Sequence, residues 1–339
     1  MAVGTNAASV EAAFHYQDVA ALYLFLKNIK ELKSFEVEGE EDIDLIWKNG
    51  KKSYIQAKAT VSPYETFNVQ YIKKALLVLS KDQEECNNSD IKSLTFLTNS
   101  HFPFGKRAGH EFDNDDYLFF TYQDLPPKMQ EKINSLMKSL SNSTIDYKLL
   151  HIIKIEYYGS DNATRLRVLR KSIEAFMDLA QIPSSKYQTL LHHLLFMTSS
   201  SSEHQNKAIE KNDFAGYASL VYLDDTSRIE NFFEEFSISH TNEEYIRNQY
   251  SQYLSSLTVN PRLINKVNQL VINYNMDHPN SPQNRRSYEL DFINQNYQKL
   301  APDLGINDNK SKNLEVAKFI MWLIVINNAN FNSLKEAIF

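Results

Sequence analysis

Apolar and polar residues alternate in the first third of the chain in a pattern that predicts strands between two helices. Apolar residues recur at helical spacing over residues 10–29 and 69–81, so both segments are predicted to be amphipathic helices. Alternation with a period of two predicts strands near 35–38, 43–47, 53–59 and 94–98. Further elements are predicted at 117–122 (strand), from 127 to about 140 (helix) and at 149–157 (strand).

The pattern changes near residue 160, after which alternating runs are nearly absent. Helical periodicity there predicts helices over 163–180, 186–197, 243–257, 261–274, 287–300 and 313–327. The serine-rich tract 198–202 is predicted to be a loop or linker. We therefore predict two domains, an α/β domain over residues 1–160 and an all-α domain over residues 161–339.

The second and third predicted strands carry a polar face. An Asn-Gly turn signal between them predicts a β-hairpin. Asp42 and Asp44 share one face of the first strand, and Gln56 and Lys58 share one face of the second. Depending on the register, either aspartate can lie beside Gln56 and Lys58. The hairpin is thus predicted to gather an acid, a neutral oxygen ligand and an ammonium group.

These residue types are the ones that phosphodiester hydrolysis requires. The reaction needs a hard cation held by oxygen ligands, a water made nucleophilic and positive charge near the phosphorus. Asp44 can hold magnesium, and the side-chain carbonyl of Gln56 and main-chain carbonyl of Ala57 can add neutral oxygens. Lys58 can orient or deprotonate the water. The alternative is a polar hairpin surface on which an acid opposite a lysine contributes little stability.

Three segments in this order resemble a known family. The D-x(n)-Q-x-K arrangement of the hairpin is similar to the variant active-site signature of the PD-(D/E)xK, or restriction-endonuclease-like, superfamily. Residues 13–17, AFHYQ, resemble the G-F-x-Y-Q helix of the double-stranded DNA endonuclease domain of bacterial antiphage effectors, although Ala13 stands where the family usually has glycine. Residues 94–99, LTFLTN, resemble that family's fourth core strand, which ends in a Thr-Asn pair.

The resemblance implies an α/β restriction-endonuclease-like core in which helices flank a mixed sheet. It also implies that this core cleaves double-stranded DNA with Mg²⁺, and that Mn²⁺ can replace Mg²⁺. It also implies Asp44 rather than Asp42 as the main metal ligand, because the superfamily's acid follows the small apolar residue of such a D-I-D stretch. The residues alone leave both aspartates open. Glu38, at the end of the first strand, is the favoured additional carboxylate, and Gln17 is expected at the margin of the site.

The helical second half does not resemble the ligand-sensing domain of effectors activated by cyclic oligonucleotides. It is more similar to the nuclease subunit of multi-component defence systems such as Lamassu, which has an SMC-like ATPase subunit, or of ABC-ATPase three-component systems. This resemblance implies a domain for oligomerisation, partner binding or regulation, and a homo-oligomer. Two other functions stay open, a catalytically inactive DNA-binding or adaptor subunit with a nuclease fold, and a nuclease that acts on RNA.

Composition and charge limit the class of protein and its expected compartment. The 339 residues are 42% hydrophobic, which is enough for two cores, and the single cysteine and the lack of a secretion signal favour the cytoplasm. The longest apolar run, residues 319–326, is too short to span a bilayer, which needs roughly 20 residues, and predicts a buried helix.

A net charge of −6 argues against a protein that binds DNA without assistance, so local basic groups and prior assembly are expected to matter for DNA binding. The candidate DNA contacts, each of which is otherwise a solvent-exposed helix or loop residue, are Lys73, Lys74, Lys106, Arg107, Arg165 and Arg167, with Arg170 and Lys171 beside them.

Overall fold

The computed structural model describes residues 4–65, 69–106, 112, 116–140, 143–202, 207–223, 226–257, 262–278, 285–306 and 311–339. The chain divides into two compact units. One consists of residues 1–176 and 195–210, and the other of residues 177–194 and 211–339. The first unit contains a β-sheet and the second is helical.

A mixed seven-stranded sheet forms the centre of the first unit. Its described strands are β1 (Leu32–Val37), β2 (Ile43–Trp47), β3 (Lys52–Lys58), β4 (Ile91–Thr98), β5 (Tyr117–Thr121), β6 (Leu150–Ile155) and β7 (Ile209–Glu210). Their spatial order is β5-β6-β4-β3-β2-β1-β7. Strands β3, β4 and β6 are parallel neighbours, and the other pairs are antiparallel. Strand β3 therefore lies inside the sheet, between β2 and β4.

Helices cover the sheet. The described helices of this unit are α1 (Gly4–Lys27), α2 (Val69–Glu85), α3 (Pro127–Lys138), the single turn α4 (Asn162–Arg165), most of α5 (Arg167–Ala180) and the end of α6 (Tyr187–Ser202). Helix α1 packs on β1 and β2 and is buried continuously over residues 16–26, because its apolar residues extend around most of its circumference. Helix α2 buries Ile72, Ala75, Leu76 and Leu79 against β3 and β4, as their spacing predicts.

The second unit is built around one apolar helix. Its described helices, besides the end of α5 and the start of α6, are α7 (Lys211–Leu223), α8 (Ile229–Glu235), α9 (His240–Leu257), α10 (Arg262–Asp277), α11 (Arg285–Asn296), α12 (Ser311–Ile326) and α13 (Asn328–Ile338). Helix α12 packs against α7, α9, α10 and α11, and its residues 319–324 are buried. The prediction of a buried helix there is confirmed.

Among the described residues no single helix has the length and apolarity needed to cross a membrane. The bent pair Lys312–Ile326 and Asn328–Ile338, with 62° between its parts, does meet that test when the two helices are taken together.

The predicted order of elements up to β6 and the change from an α/β part to a helical part are confirmed. The loop predicted at residues 198–202 is wrong, since these residues form the last turn of α6. Thr198 and Ser199 direct their hydroxyls to the carbonyls of Leu195 and Phe196, so a serine-rich run does not need to end a helix. Helices α7, α8 and α13 have no counterpart in the sequence-based prediction.

The sheet also explains how far the first unit extends. Strand β7 adds to its edge by pairing Ile209 with Phe35 and Glu210 with Ser34. A strand of two residues has no recognisable pattern in the sequence. Residues 195–210, which end in this strand, nevertheless belong to the first unit. The helical character does begin near residue 160, with α4 at Asn162, whereas the compact α/β unit continues through residue 176.

His151 on β6 is expected to make the stability of the first unit depend on pH. Burial lowers the pKa of His151, the Lys92 charge lowers it further, and Asp124 opposes both. The folded protein thus binds this proton less tightly than the unfolded chain, so the free energy of unfolding should decrease as the pH falls below about 6.5, the ordinary pKa of histidine. In His151→Gln this part of the pH dependence should disappear, and in the control His240→Gln, at an exposed position, it should remain.

Denaturant unfolding of these variants between about pH 5 and pH 8 would measure the effect. An equal pH dependence in His151→Gln and wild type would contradict this prediction.

Candidate functional site

The register of the hairpin decides which aspartate reaches the end of β3. Asp44 lies opposite Tyr54 in the antiparallel pair formed by β2 and β3. Moving two residues back along β2 therefore places Asp42 beside Gln56 and close to Lys58. Asp44 lies further inside the sheet. The sequence alone could not distinguish these two arrangements, because both aspartates share a face.

Asp42 and Lys58 are in direct contact. The Asp42 Oδ2 atom accepts a hydrogen bond from Lys58 Nζ at 2.8 Å and another from the Ala57 backbone N–H at 2.8 Å. The two side chains remain 18% and 26% exposed, so solvent and a substrate can reach them. In a strand, the N–H and C=O of one residue point to the same side. The Ala57 carbonyl therefore faces the same side as Asp42.

Asp44 has a different environment. Its side chain is fully buried, and its Oδ2 atom accepts a hydrogen bond of 2.8 Å from the Glu40 backbone N–H. Burial raises the pKa of Asp44 to about 7. A Cβ atom at Gly39 would lie 2.6 Å from Asp44 Oδ2, so only glycine allows this close approach. The structure thus brings Asp42, and not the sequence-preferred Asp44, to Lys58, and Asp44 supports the loop before β2.

Gln56 is oriented by a residue that the sequence did not single out as a site residue. Its Nε2 donates a hydrogen bond to Glu41, which leaves the Gln56 carbonyl oxygen available to a ligand. Burial, followed by the nearby carboxyl group of Asp82 on α2, raises the pKa of Glu41 to about 9. Burial also raises the pKa of Asp82, to about 6. Glu41 therefore keeps a proton at neutral pH and hydrogen-bonds with Asp82.

Gln17 and Glu38 lie at the margin of the site, where the sequence places them. Gln17 is buried on α1 and hydrogen-bonds with Glu38, which follows β1. Burial raises the pKa of Glu38 and the Asp42 charge raises it further, while Gln17 and Lys58 lower it. Asp18, which the sequence did not single out, is also buried there, and burial followed by the Glu38 charge raises its pKa to about 7.

The Thr-Asn pair at the end of β4 fixes the segment that follows Lys58. Thr98 donates its hydroxyl to the Lys58 carbonyl at 2.9 Å. The Asn99 Oδ1 accepts from Thr60 N at 2.8 Å, and its Nδ2 donates to the carbonyls of Thr60 and Tyr157, each at 2.8 Å. Both side chains are fully buried. They hold the end of β3 in place without providing a reactive group.

A second group of buried charges lies at the end of β6, and sequence reasoning missed it. Lys154 is fully buried, with its Nζ 3.3 Å from His101 Nδ1. The other ring nitrogen of His101 lies 3.4 Å from Glu156 Oε1, which also accepts a hydrogen bond from Tyr64 at 3.2 Å. Glu156 forms an ion pair with Arg167 as well. The only signal in the sequence is a lysine within an apolar strand.

Several residues that the sequence predicts to contact DNA form ion pairs with carboxylates of the protein. Arg167 and Lys171 each lie 2.6 Å from a carboxylate oxygen of Asp116. Arg170 forms an exposed pair with Glu174 at 2.8 Å. A phosphate would have to compete with these carboxylates, so Arg167, Arg170 and Lys171 are less available than the sequence suggests.

The other predicted contacts differ in position. Lys73 and Lys74 lie on α2, half-buried and exposed respectively, and Lys106 is exposed after β4. Arg107 lies outside the described residues. Arg165 lies at the end of α4 and donates its Nε to the Gly159 carbonyl at 2.7 Å. Its remaining guanidinium nitrogens can still contact a ligand.

The oxygens around Asp42 fit a hard cation. In the described part of the chain, no three His, Cys, Asp or Glu side chains form a metal-binding group. The candidate set at the end of β3 is of another kind, with the Asp42 carboxylate bonded to the Ala57 N–H and the Gln56 amide held by Glu41. The Gln56 and Ala57 carbonyl oxygens are the candidate neutral ligands. Mg²⁺ binds oxygen ligands and usually keeps several waters, so one carboxylate with two neutral oxygens is a suitable donor set.

No protein-family model, curated protein or solved structure matches this chain. Its function is therefore inferred from the residues and contacts described above.

Proposed function

We propose that this protein is a metal-dependent endonuclease that hydrolyses phosphodiester bonds in double-stranded DNA, with its active site at the end of β3. The observation that carries the proposal is the contact between Lys58 and Asp42 beside the Gln56 and Ala57 oxygens. The resemblance to the restriction-endonuclease-like superfamily supports the same reaction. The register differs from that expectation in one respect, since Asp42 takes the position assigned to Asp44.

Each residue has a chemical role in this proposal. Mg²⁺, held by Asp42, Gln56 and the Ala57 carbonyl, would polarise the phosphate and lower the pKa of water. The Ala57 N–H fixes the Asp42 carboxylate, and Glu41 fixes the Gln56 amide with its carbonyl oxygen left for the cation. The Lys58 ammonium can orient the attacking water, whose proton passes to the solvent, and its charge stabilises the negative charge that develops on the phosphate oxygens.

Residues around the proposed active site would position its side chains. The proton kept by Glu41 prevents repulsion between its carboxyl group and Asp82, so Glu41 can hold Gln56 without adding charge to the site. Gln17 and Glu38 border the site on the side of α1. Glu38 can add a carboxylate when the cation binds, because a positive charge lowers the pKa of a nearby acid.

The resemblance also supports a biological setting. We place the protein in cytoplasmic antiphage defence, as a homo-oligomer or with an SMC-like or ABC ATPase subunit that controls its access to DNA. The net charge of −6 favours such control, because the protein lacks the excess positive charge that drives nonspecific DNA binding.

An inactive DNA-binding or adaptor subunit is the alternative. The closed Asp42–Lys58 ion pair favours it, since the same contact can serve only to hold the hairpin together. Cleavage distinguishes the two functions. The purified full-length protein, alone and in any assembly with which it co-purifies, would be incubated with supercoiled plasmid or structured RNA in Mg²⁺, Mn²⁺ or EDTA. We expect cleavage of the plasmid that requires the metal.

Lys58→Ala should lower this cleavage on the order of 10²-fold, because it removes the positive charge that orients the attacking water and stabilises the charge on the phosphate oxygens. Lys52→Ala is the matched control, since Lys52 belongs to the same strand and pairs at 3.0 Å with Glu40. Circular dichroism would confirm that both variants are folded. Absence of cleavage by the wild type in every assembly would contradict the nuclease proposal, and equal rates for wild type and Lys58→Ala would contradict the role proposed for Lys58.

A further inference from the structure

A hollow of about 300 Å³ lies directly beside the proposed active site, within the first unit. We call it the tyrosine hollow, and the residues that define it are Thr60, Glu65, Tyr71, Tyr157, Tyr158 and Arg165. Its lining includes Ala59, which follows Lys58 in the chain, and Ala13, which precedes Gln17 by one turn of α1. The tyrosine hollow therefore begins one residue from the lysine of the proposed active site.

Aromatic rings and one cation form the walls of the tyrosine hollow. Tyr71 is 43% exposed, so part of its ring can be covered by a ligand. Arg165 is positioned by the turn before it, because its Nε donates to the Gly159 carbonyl at 2.7 Å. A side chain at Gly159 would bring its Cβ within 2.8 Å of Thr164. No carboxylate lies within ion-pair distance of Arg165 in the described part of the chain, so its terminal nitrogens can bind a phosphate or cover a ring.

This combination fits a nucleobase with its phosphate. Bases of any sequence stack on aromatic side chains in single-strand binding proteins, with arginine beside them. Glu65 and Thr60 are polar residues in the lining of the tyrosine hollow, and a carboxylate can accept a hydrogen bond from the exocyclic amino group of a base. The volume lies at the lower end of the range for small-ligand sites, about 300–1,000 Å³, so a single nucleotide fits and a duplex does not.

We propose that the tyrosine hollow receives one unstacked base of the DNA strand whose neighbouring phosphate is cleaved at Lys58. Ala59 lines the tyrosine hollow and follows Lys58 directly, and the spacing of successive Cα atoms, about 3.8 Å, is close to that of successive bases in a strand, about 3.4 Å. A base inside a duplex has both faces covered, so it must leave the stack before a tyrosine can contact it. The inference rests on the proposed nuclease function and narrows its substrate to DNA with an unpaired or easily extruded nucleotide beside the cleaved bond.

Binding can be measured without cleavage in the full-length Lys58→Ala protein. Fluorescence anisotropy at one fixed salt concentration would compare a labelled perfect duplex with the same duplex carrying one unpaired nucleotide. We expect the second to bind on the order of 10-fold more tightly, because one base can stack in the tyrosine hollow. Tyr71→Ala and Arg165→Ala should each remove this preference, and Tyr71→Phe should keep it because the ring is retained.

Two changes outside the tyrosine hollow are matched controls. Phe119→Ala removes an aromatic ring that is 45% exposed, and Lys128→Ala removes an exposed charge on α3. Both should keep the preference for the unpaired nucleotide. Equal affinity for the two duplexes, a preference that survives both Tyr71→Ala and Arg165→Ala, or no binding to either DNA would overturn the inference.

The failure of this inference can be separated from that of the proposed function. Plasmid cleavage by the wild type, measured in parallel, tests the nuclease by itself. Cleavage without any preference for the unpaired nucleotide would contradict base binding in the tyrosine hollow, and it would still support the nuclease proposal. A preference that depends on Tyr71 in a protein that does not cleave would support the tyrosine hollow as a DNA-binding site and contradict the nuclease.

Discussion

Asp42→Asn should lower plasmid cleavage on the order of 10³-fold, because it removes the carboxylate that the proposed metal site requires. Asp44→Asn should keep most of the activity, since its side chain is buried and bonded to the Glu40 backbone rather than to Lys58. Asparagine can still accept that hydrogen bond through its side-chain oxygen. Initial rates of plasmid nicking in Mg²⁺ would measure both variants.

The two substitutions are a matched pair, since each replaces one oxygen by nitrogen on the same face of the same hairpin. Thermal unfolding would show whether either variant is destabilised. The opposite outcome, in which Asp44→Asn is inactive and Asp42→Asn is active, would mean that Asp44 is the ligand and that the register does not govern the chemistry. Equal activity in both variants and the wild type would contradict a metal site at this hairpin.

Glu156→Ala should lower the free energy of unfolding of the first unit by about 1–3 kcal/mol, because it removes a buried carboxylate that accepts a hydrogen bond from Tyr64 and pairs with Arg167. Glu156 is 7% exposed and lies against His101 and Arg167. Lys154, fully buried, is held by the Phe112 carbonyl at 2.6 Å and contacts His101. The variant would remove the Glu156 carboxylate from beside the buried His101 ring, in a region that water reaches poorly.

Glu174→Ala is the control for this prediction. Its carboxylate pairs with Arg170 at 2.8 Å, and both side chains are about half exposed. Removal of such a pair should cost less than about 1 kcal/mol. Urea unfolding of both variants would give the comparison. Similar losses for Glu156→Ala and Glu174→Ala would mean that the group around Lys154 is not stabilised by its buried ion pairs.

The order of the elements could be predicted because its signals are local. Periods of two and of 3.6 residues are set by neighbouring residues in the chain, and they place β2 and α2 close to their observed positions. The Asn-Gly turn predicts the hairpin in the same way. The apolar run at residues 319–326 requires burial wherever it lies, and it forms the core helix α12.

Other features depend on contacts between residues distant in the chain. Glu41 and Asp82 are 41 positions apart, and no local pattern shows that α2 brings them together. The group around Lys154 joins β6 with the segment after β4 and the start of α5. The tyrosine hollow likewise collects residues from α1, the segment after β3, α2 and the end of α4.

The sequence by itself determined the residue types of the proposed site, the hairpin that carries them and the division into an α/β part and a helical part. Only the tertiary structure decided that Asp42 contacts Lys58 while Asp44 is buried. The physical reason is that residues two apart in a strand share a face, so the pattern is the same for both aspartates. The pairing of β2 with β3 fixes which one reaches the end of the central strand.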